Sequence, residues 1–376
     1  MDNQEQKRKD NNKIYFLLAV IVALLGTSIY LYLQKNKTEQ RIVTVIDERT
    51  ALQTELEKLE TDLEQAIALL CVTSICFAQP VKKHGALHVD GTFLKDKNNT
   101  PVVLRGMSFG WHNFWPRFYN AGAVKELAQE WNCSVVRAAM GIEPNNGYKQ
   151  KPAESKALVE AVVDAAIVEG IYVIIDWHSH NINLEESKQF FTEMAKKYGK
   201  HANIIYEIFN EPDKETWQEV KSYSEELITT IRAIDPDNII LVGNPHWDQD
   251  IHIVADDPIK GATNIMYTVH FYAATHKQGL RDKSDYALKK NIPIFISESA
   301  GMEATGDGPL NETEWNNWIE WAEKNKISWI TWSVSDKNET CSVLLPSANT
   351  TGNWKPVDMK EAGLKSKALL KKYAGK

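Results

Sequence analysis

The feature that most constrains the fold is a regular alternation, from His84 onward, of short β-branched runs and amphipathic stretches. The helical pattern EAVVDAAIVEG (160–170), for example, is followed at once by the buried-strand pattern IYVIID (171–176). Such alternation predicts βα units on a parallel sheet. We expect strands near 102–107, 134–138, 171–176, 203–209, 238–243, 264–270, 292–297 and 327–332. We expect helices near 121–130, 153–169, 186–198, 214–233, 276–290, 313–325 and 359–373. Eight such units in about 290 residues predict a (β/α)8 TIM barrel.

Polar side chains stand at the carboxyl ends of the predicted strands, where such barrels carry their active sites. They close six of the eight strands: Arg137, Asp176-Trp177-His178, Asn210-Glu211, His270-Phe271-Tyr272, Glu298 and Trp332. One charged strand end is usually solvated or caps a helix, but six together predict an active site. Glu211 and Glu298 would face each other across the barrel mouth. Glycoside hydrolysis needs such a pair, one carboxyl to protonate the leaving oxygen and one to attack or stabilise the anomeric carbon.

Other reaction classes lack their signatures in this sequence. There is no HExxH motif, cysteine pair or Asp/His cluster that would predict a metal site, and no Gly-rich or Walker motif for a nucleotide. We therefore expect no metal and no cofactor. The net charge of −7 argues against nucleic acid as a partner. The twelve tryptophans and thirteen tyrosines favour a carbohydrate, although the core could also contain them.

At these residues the chain resembles glycoside hydrolase family 5, in particular its bacterial endoglucanase subfamily. The resemblance covers about 86–356. It rests on eight strings in order: VVLRGMS (102–108), VVRAAM (135–140), GIYVIIDWH (170–178), IIYEIFNEP (204–212), DPDNIILVG (235–243), MYTVHFYAATH (266–276), IPIFISES (292–299) and ISWITWSVSDK (327–337). It implies a retaining endo-β-1,4-glucanase with a β-1,4-glucan as substrate and a monomeric catalytic domain.

The resemblance also implies roles for single residues. Glu211 would be the acid/base and Glu298 the nucleophile. The supporting residues would be Arg137 and Tyr272, which hold Glu298 ionised, Asn210, which binds the sugar 2-hydroxyl, and His178 and His270, which line that subsite. Trp332 would form its floor, Trp247 would stack on the aglycone side, and Lys337 and Glu339 would bind the neighbouring glycone sugar. Scaffold, loop-packing or solvated roles remain open for Arg137, His178, Trp247, Lys337 and Glu339.

The sequence departs from the family pattern at two places. The string GMSFGWHNFWP shifts His112, so either His112, Trp111 or Trp115 could reach the sugar. After the nucleophile, Ser299-Ala300 replaces the usual aromatic-Gly pair. The sugar also stays open, because relatives act on mannan, xyloglucan or mixed-linkage glucan and the fold does not fix the substrate. A remote alternative is a catalytically silent glycan-binding barrel.

The first 83 residues predict a separate leader. Residues 14–33 are twenty uncharged residues, which is long enough for a transmembrane helix, so we expect residues 1–38 to contain a cytoplasmic tip and a membrane anchor. Residues 39–83 would hold a helical spacer, with a leucine repeat at 52–63, and the signal-like apolar run 66–78. Either apolar segment could be the export signal, and both would place the catalytic domain, 84–376, outside the cytoplasm.

The sequence contains four cysteines. The spacing of Cys71, Cys76, Cys133 and Cys341 does not suggest a disulfide framework. We expect Cys133 and Cys341 to be free thiols, with a bridge between them as the alternative.

Overall fold

A computed structural model describes residues 16–25, residue 55 and residues 79–374. Within 79–374, eight parallel strands form a closed barrel surrounded by helices, which confirms the predicted fold. The barrel strands β3–β10 are Arg105–Phe109, Val135–Gly141, Tyr172–His178, Ile204–Glu207, Ile239–Val242, Ile265–Tyr272, Ile294–Ala300 and Trp329–Val334. The helices α1–α9 are Pro80–His84, Ala121–Gln129, Pro152–Glu169, Leu184–Tyr198, Trp217–Arg232, Ile251–Asp256, Gln278–Lys289, Glu312–Lys324 and Glu361–Tyr373. Two 3₁₀ turns lie at Pro116–Phe118 and Pro356–Asp358.

The predicted strands all exist, but their bounds shift. The first barrel strand begins at Arg105 rather than at residue 102, and Val102 and Leu104 before it are buried in the apolar cluster that fills the lower barrel. The second continues past Arg137 to Gly141. The strand predicted at 203–209 ends at Glu207, so the segment that carries Glu211 is a loop.

A two-stranded hairpin closes the amino-terminal end of the barrel. It consists of β1 (His88–Asp90) and β2 (Phe93–Lys95), and Leu94 is buried in the same lower apolar cluster. That cluster also contains inward-facing residues of barrel strands, including Ile174 and Phe295. The lower half of the barrel is therefore a packed apolar core, and the polar inward-facing residues lie above it.

Local sequence signals fix several helix ends. Thr216 and Glu219 form a reciprocal capping box at the start of α5. Gly170 ends α3 with a left-handed backbone (φ 70°), which lets the chain enter the next strand at Tyr172.

Most of the predicted leader lies outside the described residues. Of the predicted membrane span 14–33, only 16–25 is described, and it is helical. No helix in the described part of the chain is long and apolar enough to cross a membrane. The leucine repeat at 52–63, apart from Glu55, and the run 66–78 up to Ala78 fall outside the described residues. Cys133 and Cys341 are both buried free thiols, as expected.

Candidate active site

A cleft of about 640 Å³ opens at the carboxyl ends of the barrel strands. Eight of the predicted site residues line this cleft: Trp115, His178, Glu211, Tyr272, Glu298, Trp332, Lys337 and Glu339. Arg137, Asn210 and His270 are almost fully buried and make hydrogen bonds to these residues or to one another. The strand-end pattern therefore brings most of the predicted residues to one place.

Glu298 lies in β9 and is held through both carboxylate oxygens. The Arg137 guanidinium donates to Oε2 at 2.9 Å, and the Tyr272 hydroxyl donates to Oε1 at 2.7 Å. Burial and then the charge of Glu211 raise the pKa of Glu298, while His270, Arg137 and Tyr272 oppose the rise. Both donors suit an ionised carboxylate.

Glu211 lies in the loop after β6 and contacts His270 of β8. His270 Nδ1 is 2.9 Å from Glu211 Oε1. Burial raises the pKa of Glu211, but the hydrogen bond and the charge of His270 outweigh it and hold that pKa below its ordinary value. One carboxylate oxygen of Glu211 and one of Glu298 lie within 4.8 Å of each other. His180, on the cleft side, places Nδ1 3.7 Å from Glu211 Oε2.

Arg137 connects the nucleophile candidate to two buried carboxyls. Asp176 belongs to the predicted strand-end pattern but had no assigned role, and Glu207 was not predicted. Its Nε donates to Glu207 at 2.6 Å, and its Nη2 lies 2.9 Å from Asp176. Nη2 also donates to the Asn210 side-chain oxygen at 2.6 Å. Burial lowers the pKa of Arg137, but Asp176, Glu207 and Glu298 raise it further, so the guanidinium stays charged.

The sequence carries a signal for Asp176 but not for the contact that Glu207 makes. Asp176 is two residues before His178, so the two share the inward face of β5, and Asp176 pairs with Glu207 in the barrel register. Side chains alternate between the two faces of a strand, so Glu207 shares the inward face with Ile205, but its contact with Arg137 depends on how neighbouring strands align. Neighbouring-strand register is not readable from one sequence.

His178 and Trp332 form one wall of the cleft. Their rings stack at 5.2 Å with planes 3° apart, and His178 Nδ1 hydrogen-bonds Asp176 at 2.7 Å. Burial, followed by the charge of Arg137, lowers the pKa of His178 well below its ordinary value, so the ring is neutral. The Trp332–Ser333 peptide bond is cis.

Lys337 and Glu339 extend the cleft beyond Trp332 and form an ion pair with each other. The Cys341 thiol donates to Glu339 Oε1 at 3.1 Å, and burial raises its pKa, so it is an unreactive neutral thiol. Trp247 lies in the turn after β7, with 40% of its surface exposed, and does not line the cleft itself.

The structure places His112 away from the cleft, which corrects its candidacy for substrate binding. One ring nitrogen accepts from the Gly141 backbone N–H at 3.0 Å, and the other hydrogen-bonds the Ser155 hydroxyl at 2.7 Å. Burial lowers the pKa of His112 to about 4. The ring is therefore a neutral structural link from the loop after β3 to β4 and α3. Of the neighbouring candidates, Trp111 and Trp115 line the cleft.

Residues 95–338 match the family model for cellulase, glycosyl hydrolase family 5. The chain belongs to glycosyl hydrolase family 5. It is 41% identical over 315 residues to endoglucanase Z of Dickeya dadantii, a match that covers 82% of this chain and 70% of the relative. It is 42% identical over 287 residues to an endoglucanase of Clostridium saccharobutylicum, covering 74% of this chain and 64% of the relative. The second relative thus has more than a third of its length beyond the match.

Solved structures agree with this assignment. A structure from Cytophaga hutchinsonii is 43% identical with a TM-score of 0.78, and covers 79% of this chain and 98% of its own. The catalytic domain of an endoglucanase from Thermobifida fusca is 32% identical with a TM-score of 0.74, covering 78% and 100%. The predicted resemblance to bacterial family 5 endoglucanases is therefore confirmed, and the barrel is a glycoside hydrolase.

The second departure from the family pattern leaves the nucleophile candidate in place. The Ser299 hydroxyl donates to the Ile330 carbonyl at 2.7 Å. Ala300 is buried in a cluster with Trp332 and Cys341 below the cleft. The replacement of the usual aromatic-Gly pair therefore changes packing beneath the wall and does not alter the Arg137 and Tyr272 contacts of Glu298.

Proposed function

We propose that this family 5 enzyme is a retaining endo-β-1,4-glucanase in which Glu298 is the nucleophile and Glu211 the acid/base. The observation that carries the proposal is the separation of the two carboxyl groups. Oxygens within 4.8 Å fit the retaining distance of about 5–5.5 Å, whereas inverting enzymes separate the groups by about 6.5–9.5 Å to admit a water.

The roles follow from what each carboxyl contacts. Two like charges this close oppose double ionisation, so the pair keeps one proton over part of the pH range and titrates as a unit. Glu298 receives hydrogen bonds from Arg137 and Tyr272 that favour its anion. The Glu211 side chain is 14% exposed against 5% for Glu298, so a bound sugar would desolvate Glu211 more and raise its pKa from the low value that His270 gives it in the free enzyme. The shared proton is then on Glu211 when the bond breaks.

The reaction has two steps. Glu298 attacks the anomeric carbon while Glu211 gives its proton to the departing glycosidic oxygen, which forms a glycosyl ester. Esterification removes the negative charge of Glu298, so the pKa of Glu211 falls and it can take a proton from the attacking water. The second inversion restores the β-configuration.

A buried amide supports the predicted role of Asn210. Its Nδ2 has no protein hydrogen-bond partner, while its oxygen is held by Arg137. A buried N–H group without a hydrogen-bond acceptor costs free energy unless a ligand supplies the acceptor. We propose that Asn210 donates to the 2-hydroxyl of the sugar under attack.

The relatives' names support glucan as the substrate, since the two curated relatives reported above are endoglucanases. The same Thermobifida fusca catalytic domain has also been solved as a variant in complex with cellotetraose. Side-by-side assays on carboxymethyl-cellulose, mannan, xyloglucan and barley glucan test this. We expect the fastest hydrolysis on a β-1,4-glucan, and preference for mannan would overturn the substrate assignment.

The remaining proposals concern the location of the barrel in the cell and the alternative of a non-catalytic glycan-binding barrel. We propose that the barrel acts outside the cytoplasm, because the leader carries two export-type apolar segments at 14–33 and 66–78. Proteolysis of intact cells should then cleave the barrel. We also propose a monomeric catalytic domain, as the family resemblance implies. A silent glycan-binding barrel is disfavoured because both Glu211 and Glu298 are present and adjacent.

A further inference from the structure

A fully buried carboxyl behind the active site has no role in the reaction described above. Asp248 follows β7, and its side chain is 0% exposed. The Asn244 backbone N–H donates to Oδ1 at 2.6 Å, and the Thr268 hydroxyl contacts Oδ2 at 2.5 Å. Oδ2 also lies 3.3 Å from His270 Nε2.

The backbone around Asp248 is held in a conformation that L-residues rarely adopt. In the short segment Pro245–Asp248, the φ angles of His246, Trp247 and Asp248 are 60°, 54° and 59°. Such a run persists only where neighbouring contacts hold it. The backbone N–H of Trp247 donates to the backbone carbonyl of Pro212, the residue after Glu211, at 2.9 Å. The turn is thereby tied to the acid/base loop as well as to His270.

His270 stands between Asp248 and Glu211. Nδ1 faces Glu211 at 2.9 Å, and Nε2 faces Ser297 at 2.9 Å, Asp248 at 3.3 Å and Glu207 at 3.7 Å. The charge on this imidazole therefore depends on carboxyls at both of its nitrogens. If a carboxyl near Nε2 gains or loses its proton, the charge of His270 is favoured or disfavoured. The pKa of Glu211, which contacts Nδ1, must then change as well.

We propose that Asp248 is a positioning residue for proton transfer, which fixes the ring of His270 and, through it, sets the pH at which Glu211 loses its acid proton. This rests on the proposed role of Glu211. Asp248 does not line the cleft, and its contact on the side of the site is His270.

The titration of Asp248 agrees with this geometry. Burial raises the pKa of Asp248 to about 8, although the charge of His270 and the two hydrogen bonds oppose the rise. Burial lowers the pKa of His270, but Asp248, Glu207 and Glu211 outweigh it and raise that pKa well above its ordinary value. The other titratable groups that interact with His270 are Asp176, Glu298, His178 and His276.

The sign of the effect follows from these directions. Below about pH 8 Asp248 is a neutral acid, and above it the carboxylate favours charged His270. Charged His270 in turn favours ionised Glu211, which cannot act as an acid. Direct repulsion between Asp248 and Glu211 acts in the opposite sense but is weaker than the interaction of Asp248 with His270. Ionisation of Asp248 thus adds to the alkaline loss of activity. Asp248→Asn, which is isosteric and always neutral, should keep acid-side activity and lose that contribution.

The test compares the full-length wild type with Asp248→Asn and the control Asp250→Asn. Asp250 lies in the same loop but pairs with Lys283 at 2.8 Å, so its variant should match the wild type. For kcat/KM on carboxymethyl-cellulose, we expect Asp248→Asn to stay within about twofold below pH 7 and to move its alkaline half-point up by about half a unit or more. Release of dinitrophenol from its cellobioside, which hardly needs an acid, should show no such shift in the first step. A profile that superimposes on the wild type, or a uniform loss at every pH, would overturn the proposal.

A second variant and a second measurement cover the case in which Asp248→Asn does not fold. Asp248→Ser should give the same alkaline shift if the Asn variant does not fold. Nitrogen-15 NMR of the histidines should show His270 becoming neutral at lower pH in either variant than in the wild type, and unchanged His270 titration would refute the link. This readout needs no turnover, so it tests the Asp248 proposal independently of the acid/base role of Glu211. If Glu211 were not the acid/base, Glu211→Ala would stay active.

Discussion

At the scale of single residues, the two glutamates should fail in different ways. Glu298→Ala should abolish glycosyl-enzyme formation on every substrate, because no other group is placed to attack. Glu211→Ala should lose about 10²–10⁴-fold on cellulose, the usual contribution of general acid catalysis. It should lose far less in the first step with dinitrophenyl cellobioside, whose leaving group hardly needs a proton. Steady-state and burst kinetics on both substrates measure the difference.

Azide provides the matching control. A small anion can replace the base-assisted water, so azide should restore turnover to Glu211→Ala by forming a glycosyl azide of retained configuration. It should not produce that product with Glu298→Ala. The reverse pattern would exchange the two roles.

Arg137 should matter for both stability and catalysis. Its guanidinium is fully buried and serves Asp176, Glu207 and Glu298, so Arg137→Met leaves three carboxyls without their cation. We expect a loss of about 3–5 kcal/mol in the free energy of unfolding. Arg105→Met is the control. Arg105, in the first barrel strand, forms an ion pair with Glu323 of α8 at 2.6 Å, and neither residue lines the cleft.

Denaturant unfolding and kcat on glucan separate the two variants. Arg105→Met should lose stability and keep kcat, whereas Arg137→Met should lose both. Equal kcat in the two variants would mean that Arg137 only supports the fold.

Strand-end position predicted the residues that face the cleft, since a parallel barrel collects its carboxyl ends at one mouth. It did not predict Asp248, Glu207 or the position of His112. Asp248 depends on a left-handed turn without glycine, and Glu207 on barrel register. His112 depends on how the loop after β3 folds back on Gly141.

At the scale of elements, the turn after β7 carries Trp247, whose predicted role is to stack on a sugar on the aglycone side. Loss of a half-exposed indole that stacks on a sugar should cost about 1–2 kcal/mol of binding, or about tenfold in KM. We expect Trp247→Ala to raise KM on cello-oligosaccharides that reach past the cleaved bond. KM for dinitrophenyl cellobioside, which has no sugar there, should hardly change. Tyr286→Ala is a control of equal exposure (39%) on α7.

The eight barrel strands were predictable because each contains, or for the first strand directly follows, an apolar run with β-branched residues next to a helical pattern. The hairpin β1–β2 was not, because its strands have three residues each and mix polar with apolar side chains. The short helix Pro80–His84 was also missed. It is five residues long and has no buried residue to give it an apolar period.

At the scale of the whole molecule, the barrel should work without the leader. Every residue of the candidate site lies beyond Arg105 in the sequence, and the chain divides into two units between Phe77 and Ala78. The Val81 N–H donates to the Gly170 carbonyl at 3.0 Å, and Val81 packs on the lower apolar cluster. A fragment of residues 78–376 should therefore match the full chain in kcat on soluble glucan.

A shorter fragment that begins at residue 84 is the informative comparison. It removes Val81, so we expect a lower melting temperature with the same kcat. A folded 78–376 fragment with much reduced kcat would show that the leader contributes to the site. The domain boundary at 83/84 and the membrane span 14–33 stay predictions, because the leader lies largely outside the described residues.

The configuration of the first product tests the central claim most directly. Proton NMR of a cello-oligosaccharide mixed with the enzyme distinguishes the α- and β-anomers of the new reducing end before they interconvert. Carboxylate oxygens within 4.8 Å, with Glu298 as nucleophile, predict that the β-anomer accumulates first and the α-anomer appears only by mutarotation. Initial accumulation of the α-anomer would contradict the two-step mechanism.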